Sequence, residues 1–186
     1  MASSFEIKST RPSVGETIVT IVRDHIDYRK QIFKLAGSDL RRTYRASALG
    51  WSWAIIKPLV TIFVYWFAFA IGLRRGGDIE GYPFVLWFYM SEMLTLGTEC
   101  ILRNRYLVTK MKYPVSTIPT FTSISKFSVH LILMMITILI FVITGNELTI
   151  YLVQLPFYML CNFLFFTGWA MFAAPIAAIS THFSNL

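Results

Sequence analysis

Charge is scarce in this sequence: 15% of its 186 residues are Asp, Glu, Lys or Arg, against roughly 25% in a soluble globular domain. Cysteine and histidine are scarcer still, at two and three. Cys100 and Cys161 both lie inside apolar blocks, which argues against an extracellular disulfide. His25, His130 and His182 are too scattered to complete a zinc site with them, so no metal ligands are expected. No Gly-x-x-x-x-Gly-Lys-[Ser/Thr] phosphate loop is present, which excludes this chain as an ATPase of that type. The opening residues MASSFEIKSTRPSVGET hold no apolar h-region, so the first membrane span itself is expected to direct insertion. Internal repeats and low-complexity tracts are also missing.

What fills the chain is apolar. Hydrophobic residues make up 55% and aromatic residues 16%, gathered in blocks long enough for membrane spans and separated by short polar breaks. The expected fold class is therefore an all-α integral membrane protein. Four spans can be read, at about Trp53 to Leu73, Tyr82 to Leu102, Phe127 to Thr144 and Leu148 to Trp169. At about 1.5 Å per residue each is long enough, or nearly so, for a hydrocarbon core of roughly 30 Å. The last block stays apolar to Ser180, so the fourth span is long, tilted or broken near Pro175.

Basic residues orient the bundle. Nine precede Trp53, and five lie between Arg103 and Lys126 with no acid among them; Arg74 and Arg75 are offset by Asp78 and Glu80. The positive-inside rule puts the N-terminus and the 103–126 loop in the cytoplasm. This divides the chain into a cytoplasmic tail, 1–52, and a transmembrane domain, 53–186. The net charge of +7 follows that topology, and no nucleic-acid partner is expected.

In residues 18–36 the apolar side chains recur at three- and four-residue intervals, opposite Arg29, Lys30 and Lys34. That is the pattern of an amphipathic helix on the inner leaflet, either a surface anchor for membrane lipids or a docking platform. The Gly37-Ser38-Asp39 run is expected to end it and to cap a second short helix carrying Arg41, Arg42 and Arg45. Trp51 and Trp53 then mark the interface, and Lys57 lies about 6 Å beyond Trp53. Within the second span Ser91, Glu92, Thr95, Thr98 and Glu99 form a polar stripe that must face protein or water. Glu99 falls at the depth of Lys57, so an ion pair between them is expected. Glu92 reads either as an interhelical contact or as part of a polar path. Tyr158, Phe165 and Trp169 in the fourth span are packing residues or sugar-stacking faces. The loop segment RNRYLVTKMKY can form a short basic helix with Tyr106, Leu107 and Met111 on one side, stopped by Pro114.

The stretch YRKQIFKLAGSDLRRTYRASALGWSWAIIKPL resembles the N-terminal signature of type-2 ABC exporter permeases, which move lipid-linked polysaccharides and teichoic acids. Its markers here are Leu49, Gly50, Trp53 and Pro58, the proline one residue earlier than the family spacing. GYPFVLWFYMSEM and NRYLVTKMKYPVSTIP resemble the second span and the loop after it, and the likeness runs over about residues 25–186. The resemblance implies a homodimer of permeases in the bacterial plasma membrane, each docked on a separate nucleotide-binding subunit that carries ATP and Mg²⁺. Asn104, Arg105, Tyr106, Leu107, Val108 and Lys110 would match the family's coupling helix. Tyr28, Arg29, Ile32, Phe33, Arg41, Arg42 and Arg45 would match its interfacial helices. Two departures stand out: the family has six spans where four are visible, so a C-terminal part is expected to be missing, and its second span is less acidic than MSEML. The alternatives are a small-molecule exporter of the same fold, a membrane-embedded enzyme of glycan assembly, and an anchor protein.

Overall fold

The computed structural model describes residues 13–45, 50–53, 56, 59–60, 63–64, 82–143 and 150–179; these are helical apart from short connecting turns, and no strand occurs among them. Helix α1 spans Val14–Asp27 and α2 spans Arg29–Arg45. A short 3-10 turn, Gly50–Ser52, follows. Gly50 adopts φ +53°, a left-handed conformation that gives the Leu-Gly pair of the signature a backbone reason. Helix α3, Tyr82–Glu92, runs into a π turn, Met93–Gly97, then α4, Cys100–Arg103, and α5, Arg105–Met111. The long helices are α6, Ile118–Ile143, and α7, Leu155–Ile179, entered through the 3-10 turns Val115–Thr117 and Ile150–Gln154.

Local chemistry sets these boundaries. Ser13 caps α1 by accepting from the Glu16 amide at 3.2 Å, while the Ser13 amide donates to Glu16 Oε2 at 2.8 Å. This capping box satisfies two otherwise orphan donors, and it starts the helix earlier than the apolar periodicity from Ile18 suggests. Gly37-Ser38-Asp39 does not end the helix: α2 continues to Arg45. Glycine in a helix interior costs about 1 kcal/mol. The packing of Ile32, Ala36 and Leu40, one helical turn apart, outweighs it. The break falls instead at Tyr28 (φ −97°, ψ 9°). There the ring is held edge-on against Tyr113, with centroids 5.5 Å apart.

Two segments, Val115–Leu139 and Leu152–Ile179, are long and apolar enough to cross a membrane. The third helix thus begins at Ile118 rather than Phe127, because Pro119 needs no amide partner in a first turn and nothing after it breaks the helix. Lys126, counted among the loop cations in the sequence, is inside α6. The fourth helix starts later than Leu148 and runs on to Ile179 through Pro175 without ending there. The segment of the second predicted span is helical from Tyr82, is interrupted at the π turn, and is not one of these two segments. Most of the first, from Trp53 to Leu73, lies outside the described residues.

Two kinds of packing hold the bundle. On the α1–α2 side, Ile32, Ala36, Cys100, Ile101, Leu107, Tyr113, Ile118 and Phe121 form one apolar core. Much of this core precedes the spanning segments, where water is the alternative and burying a large side chain gives about 1.5–3 kcal/mol. Deeper in, α7 turns Ala170, Ala173, Ala174 and Ala177 inward, all fully buried. Hydrocarbon offers no hydrophobic drive between helices, so close approach through small residues carries the contact there. Phe157, Leu160, Leu164, Phe165 and Phe172 of α7, and Leu131, Met135 and Leu139 of α6, remain exposed on the outer face. That surface is made for lipid.

Candidate functional site

The residues expected at the cytoplasmic side converge where α2, α4, α5 and the start of α6 meet. Asn104 breaks the helix between α4 and α5 (φ −110°, ψ 19°) and is itself buried. Its Nδ2 donates to the Cys100 carbonyl at 2.9 Å, and its own carbonyl accepts from the Leu107 amide at 2.9 Å. The asparagine therefore stitches the two helices together through the gap. Helix α5 ends at Lys112 (φ 48°), and the Tyr113 amide closes back on the Leu107 carbonyl at 3.2 Å. Tyr113 turns into the core, where burial raises its hydroxyl pKa above the ordinary tyrosine value.

The faces of α5 differ from the sequence reading at one point. Tyr106 and Met111 point outward, 41% and 68% exposed, but Leu107 is 2% exposed and belongs to the core. Arg105 and Lys110 are exposed, while Val108 is half-buried against the same core. A helix this short needs one residue driven into the bundle, and Leu107 fills the place beside Ile32 and Ala36. Arg42 of α2 lies over the Tyr106 ring, its Cζ 5.3 Å from the centroid, a contact of about 0.5–1 kcal/mol at an exposed site. Asp39, Arg42, Arg103 and Asn104 line a cleft of about 230 Å³ beside it. Helices α2 and α5 thus form one composite surface, basic and aromatic.

Of the expected interfacial-helix residues, Ile32 is buried on α6, Tyr28 is half-buried, and Arg29, Phe33, Arg41 and Arg42 are exposed. Arg45 closes α2. The apolar face assigned to the leaflet is split between two helices. Ile32 and Ala36 of α2 are used internally, whereas α1 leaves Val14, Ile18, Val22 and Ile26 fully outward at helical spacing. Helix α1 is tethered to the 3-10 turn before α6 and to the first turn of α6 by polar contacts: Ser116 Oγ donates to Asp24 Oδ2 at 2.7 Å, and His25 Nε2 lies 2.8 Å from Thr120 Oγ1. His25 Nδ1 is 2.7 Å from the Ile21 carbonyl, which can only accept. In the neutral ring Nδ1 therefore carries the proton and Nε2 accepts from Thr120.

The intramembrane polar residues rearrange. Glu92 Oε1 lies 3.4 Å from Lys126 Nζ, with side-chain exposures of 42% and 7%. Lys126 is the buried polar residue that the sequence reading placed in the loop; Pro119, followed by no breaker before Lys126, was the available signal that the residue is inside a helix. The Thr95 and Thr98 hydroxyls bond back to carbonyls of their own helix. Glu99 is half-buried, and Lys57 lies outside the described residues, as does the contact expected between them. Tyr158, Phe165 and Trp169 are exposed on α7. Among the described residues, no three of His, Cys, Asp and Glu converge as metal ligands would.

No family profile matches the chain. It is similar to the O-antigen export system permease protein RfbA of Myxococcus xanthus, 28% identical over 64% of this chain and 48% of that protein. Two RfbA proteins of Klebsiella pneumoniae are 26% identical over 46% of this chain and 34% of theirs. The chain spans about half the length of the first of these curated relatives and a third of the others. These relatives bear out the resemblance to polysaccharide-exporter permeases read from the sequence.

Proposed function

We infer that this chain is the membrane-spanning permease subunit of an ATP-driven exporter of a lipid-linked cell-envelope polysaccharide, the reading that follows from its kinship with O-antigen export permeases. The observation that carries the mechanism is the mounting of α5. Leu107 pins the helix to the bundle from beneath, while Tyr106, Met111, Arg105 and Lys110 are offered outward beside Arg42 of α2. A short, rigidly seated helix with an outward aromatic residue and flanking cations suits a cleft on a nucleotide-binding subunit. That partner holds ATP and Mg²⁺, and its closure would push α5 and α2 together.

In this reading the protein is multi-pass in the bacterial plasma membrane with its N-terminus in the cytoplasm, and two copies form the path. Helix α1 lays Val14, Ile18, Val22 and Ile26 on the inner leaflet. Teichoic acid, capsular and O-antigen-like glycans are the candidate cargoes, and Tyr158, Phe165 and Trp169 are the candidate sugar-facing aromatics. Catalytic residues are not expected on this chain.

Co-purification with a nucleotide-binding ATPase subunit from the same cells tests the reading. Tyr106→Asp should abolish capture of that subunit while leaving the amount of folded permease unchanged. Leu107→Asp should instead lower the folded permease itself, because it places a carboxylate in the core. Undiminished capture by Tyr106→Asp, or catalytic turnover by the isolated chain, would overturn the assignment.

A further inference from the structure

Two separate placements put one ion pair deep in the membrane. Glu92 is halfway along the second predicted span, 82–102. Lys126 is near the centre of the spanning segment Val115–Leu139. Their contact is lopsided: the Lys126 side chain is 7% exposed, while Glu92, whose Oε1 lies 3.4 Å from the ammonium, keeps 42% of its side chain uncovered. The lysine is inside the bundle and the carboxylate is at its edge.

Electrostatics narrows what the uncovered side of Glu92 can meet. An ionised carboxylate facing hydrocarbon is too costly to hold, and losing its charge would strand the Lys126 ammonium, buried and unpaired. Lipid is therefore excluded. A dry cover of protein would let the two charges close to about 2.7–2.9 Å, since nothing would compete for them. At 3.4 Å the carboxylate is held loosely, as one is whose remaining lone pairs are hydrated. The α6 face behind it is polar as well. Thr122 and Ser123, one turn before Lys126, are buried, and their hydroxyls do not bond back to their own helix as those of Ser128 and Thr137 do. Buried hydroxyls left out of the helix ladder are commonly met by water.

We propose that Glu92 borders an aqueous path through the membrane, held at one oxygen by Lys126 and offering the other to hydroxyl groups in that path. The pair is neutral overall, so this part of the wall suits an uncharged, hydroxyl-rich chain. Its acceptor oxygen takes a hydrogen bond from a sugar hydroxyl and exchanges it for one from water as the chain moves on. That the hydroxyls belong to a glycan rests on the function proposed above; the exposure of Glu92 to water does not.

The unaltered chain in native membranes is treated with a charged, water-soluble carbodiimide and glycine methyl ester, or with dicyclohexylcarbodiimide, which partitions into lipid. Peptide mass spectrometry then reads Glu92. The water-soluble reagent should modify it several-fold more, as the glycine amide or as an amide to Lys126. Equal or greater modification by the lipid-soluble reagent overturns the proposal, because the residue then faces hydrocarbon. Modification by neither overturns it too, because protein then covers the residue. In a Cys161→Ser background that keeps the buried Cys100, Glu92→Cys with Lys126→Met should react many-fold faster with a charged methanethiosulfonate than Leu164→Cys on the outer face of α7. Equal rates would count against a water-facing Glu92 in the same way. For the hydroxyl contact, surface glycan is measured in cells carrying Lys126→Met with either Glu92→Gln or Glu92→Leu. The glutamine chain should export several-fold more, and equal export overturns that contact. A chain that exports no glycan and captures no ATPase would sink the transport reading and leave the water-exposed Glu92 standing.

Discussion

Lys126 shows how far a single residue can be misplaced by local reasoning. In the sequence it is the last of five cations in a loop without acids; in the structure it is a buried partner of Glu92. Nothing in the neighbouring residues names that partner, because the two positions are thirty-four apart and meet only through helix packing. Lys112 is legible the other way round, from backbone alone. It is a non-glycine residue at φ 48°, in a conformation that costs an L-residue about 1–2 kcal/mol. Lys112→Gly is therefore expected to stabilise the protein by about 1 kcal/mol, since glycine is the natural residue at a left-handed helix end. A raised unfolding midpoint of the detergent-solubilised protein checks it, and an unchanged or lowered one would refute it.

At the scale of elements, the helices were visible in the sequence and their joints were not. Apolar blocks located α3, α6 and α7, the amphipathic pattern over 18–36 ran across α1 and the first half of α2 as if they were one helix, and Pro114 follows the stop of α5. The continuation of α2 through Gly37 was hidden because local propensity favours a stop there and tertiary packing overrides it. The π turn was equally hidden: it is packed against both α6 and α7, and no single helix contains those neighbours. Its tight contact with α7 makes Gly97 the element-scale test. Gly97→Leu must displace Met93 and press on Ala170, and overpacking of this kind costs about 1–3 kcal/mol. Its unfolding midpoint should fall, and pairing it with Ala170→Gly should recover part of the loss. A neutral Gly97→Leu would mean that α7 does not close on the turn as described.

For the whole molecule, the distribution of apolar surface is the decisive feature. Helix α7 turns four alanines inward and leaves Phe157, Leu160, Leu164, Phe165 and Phe172 outside, and α6 exposes Leu131, Met135 and Leu139; in a water-soluble bundle a large exposed apolar face of this kind marks a partner or a membrane. Leu164, exposed near the middle of the segment Leu152–Ile179, faces lipid in this arrangement. An arginine at the centre of a spanning helix costs about 2.5–3.5 kcal/mol on insertion scales. Leu164→Arg should accordingly lower the inserted fraction of this segment in a translocon insertion assay, whereas Leu164→Val should not. Insertion indifferent to the arginine would show that this face meets water or protein instead.

The sequence by itself determined the membrane class, the helical content and the kinship, because each depends on composition, periodicity or short-range order along the chain. It also marked Tyr106, Leu107 and Met111 as one group. Only the tertiary structure decided that Leu107 is the nail and Tyr106 the exposed head, that the apolar face of α2 is spent on α6, and that Glu92 answers to Lys126. Those are matters of which face meets which neighbour, and a helix has no intrinsic preference among its faces until another helix is laid against it.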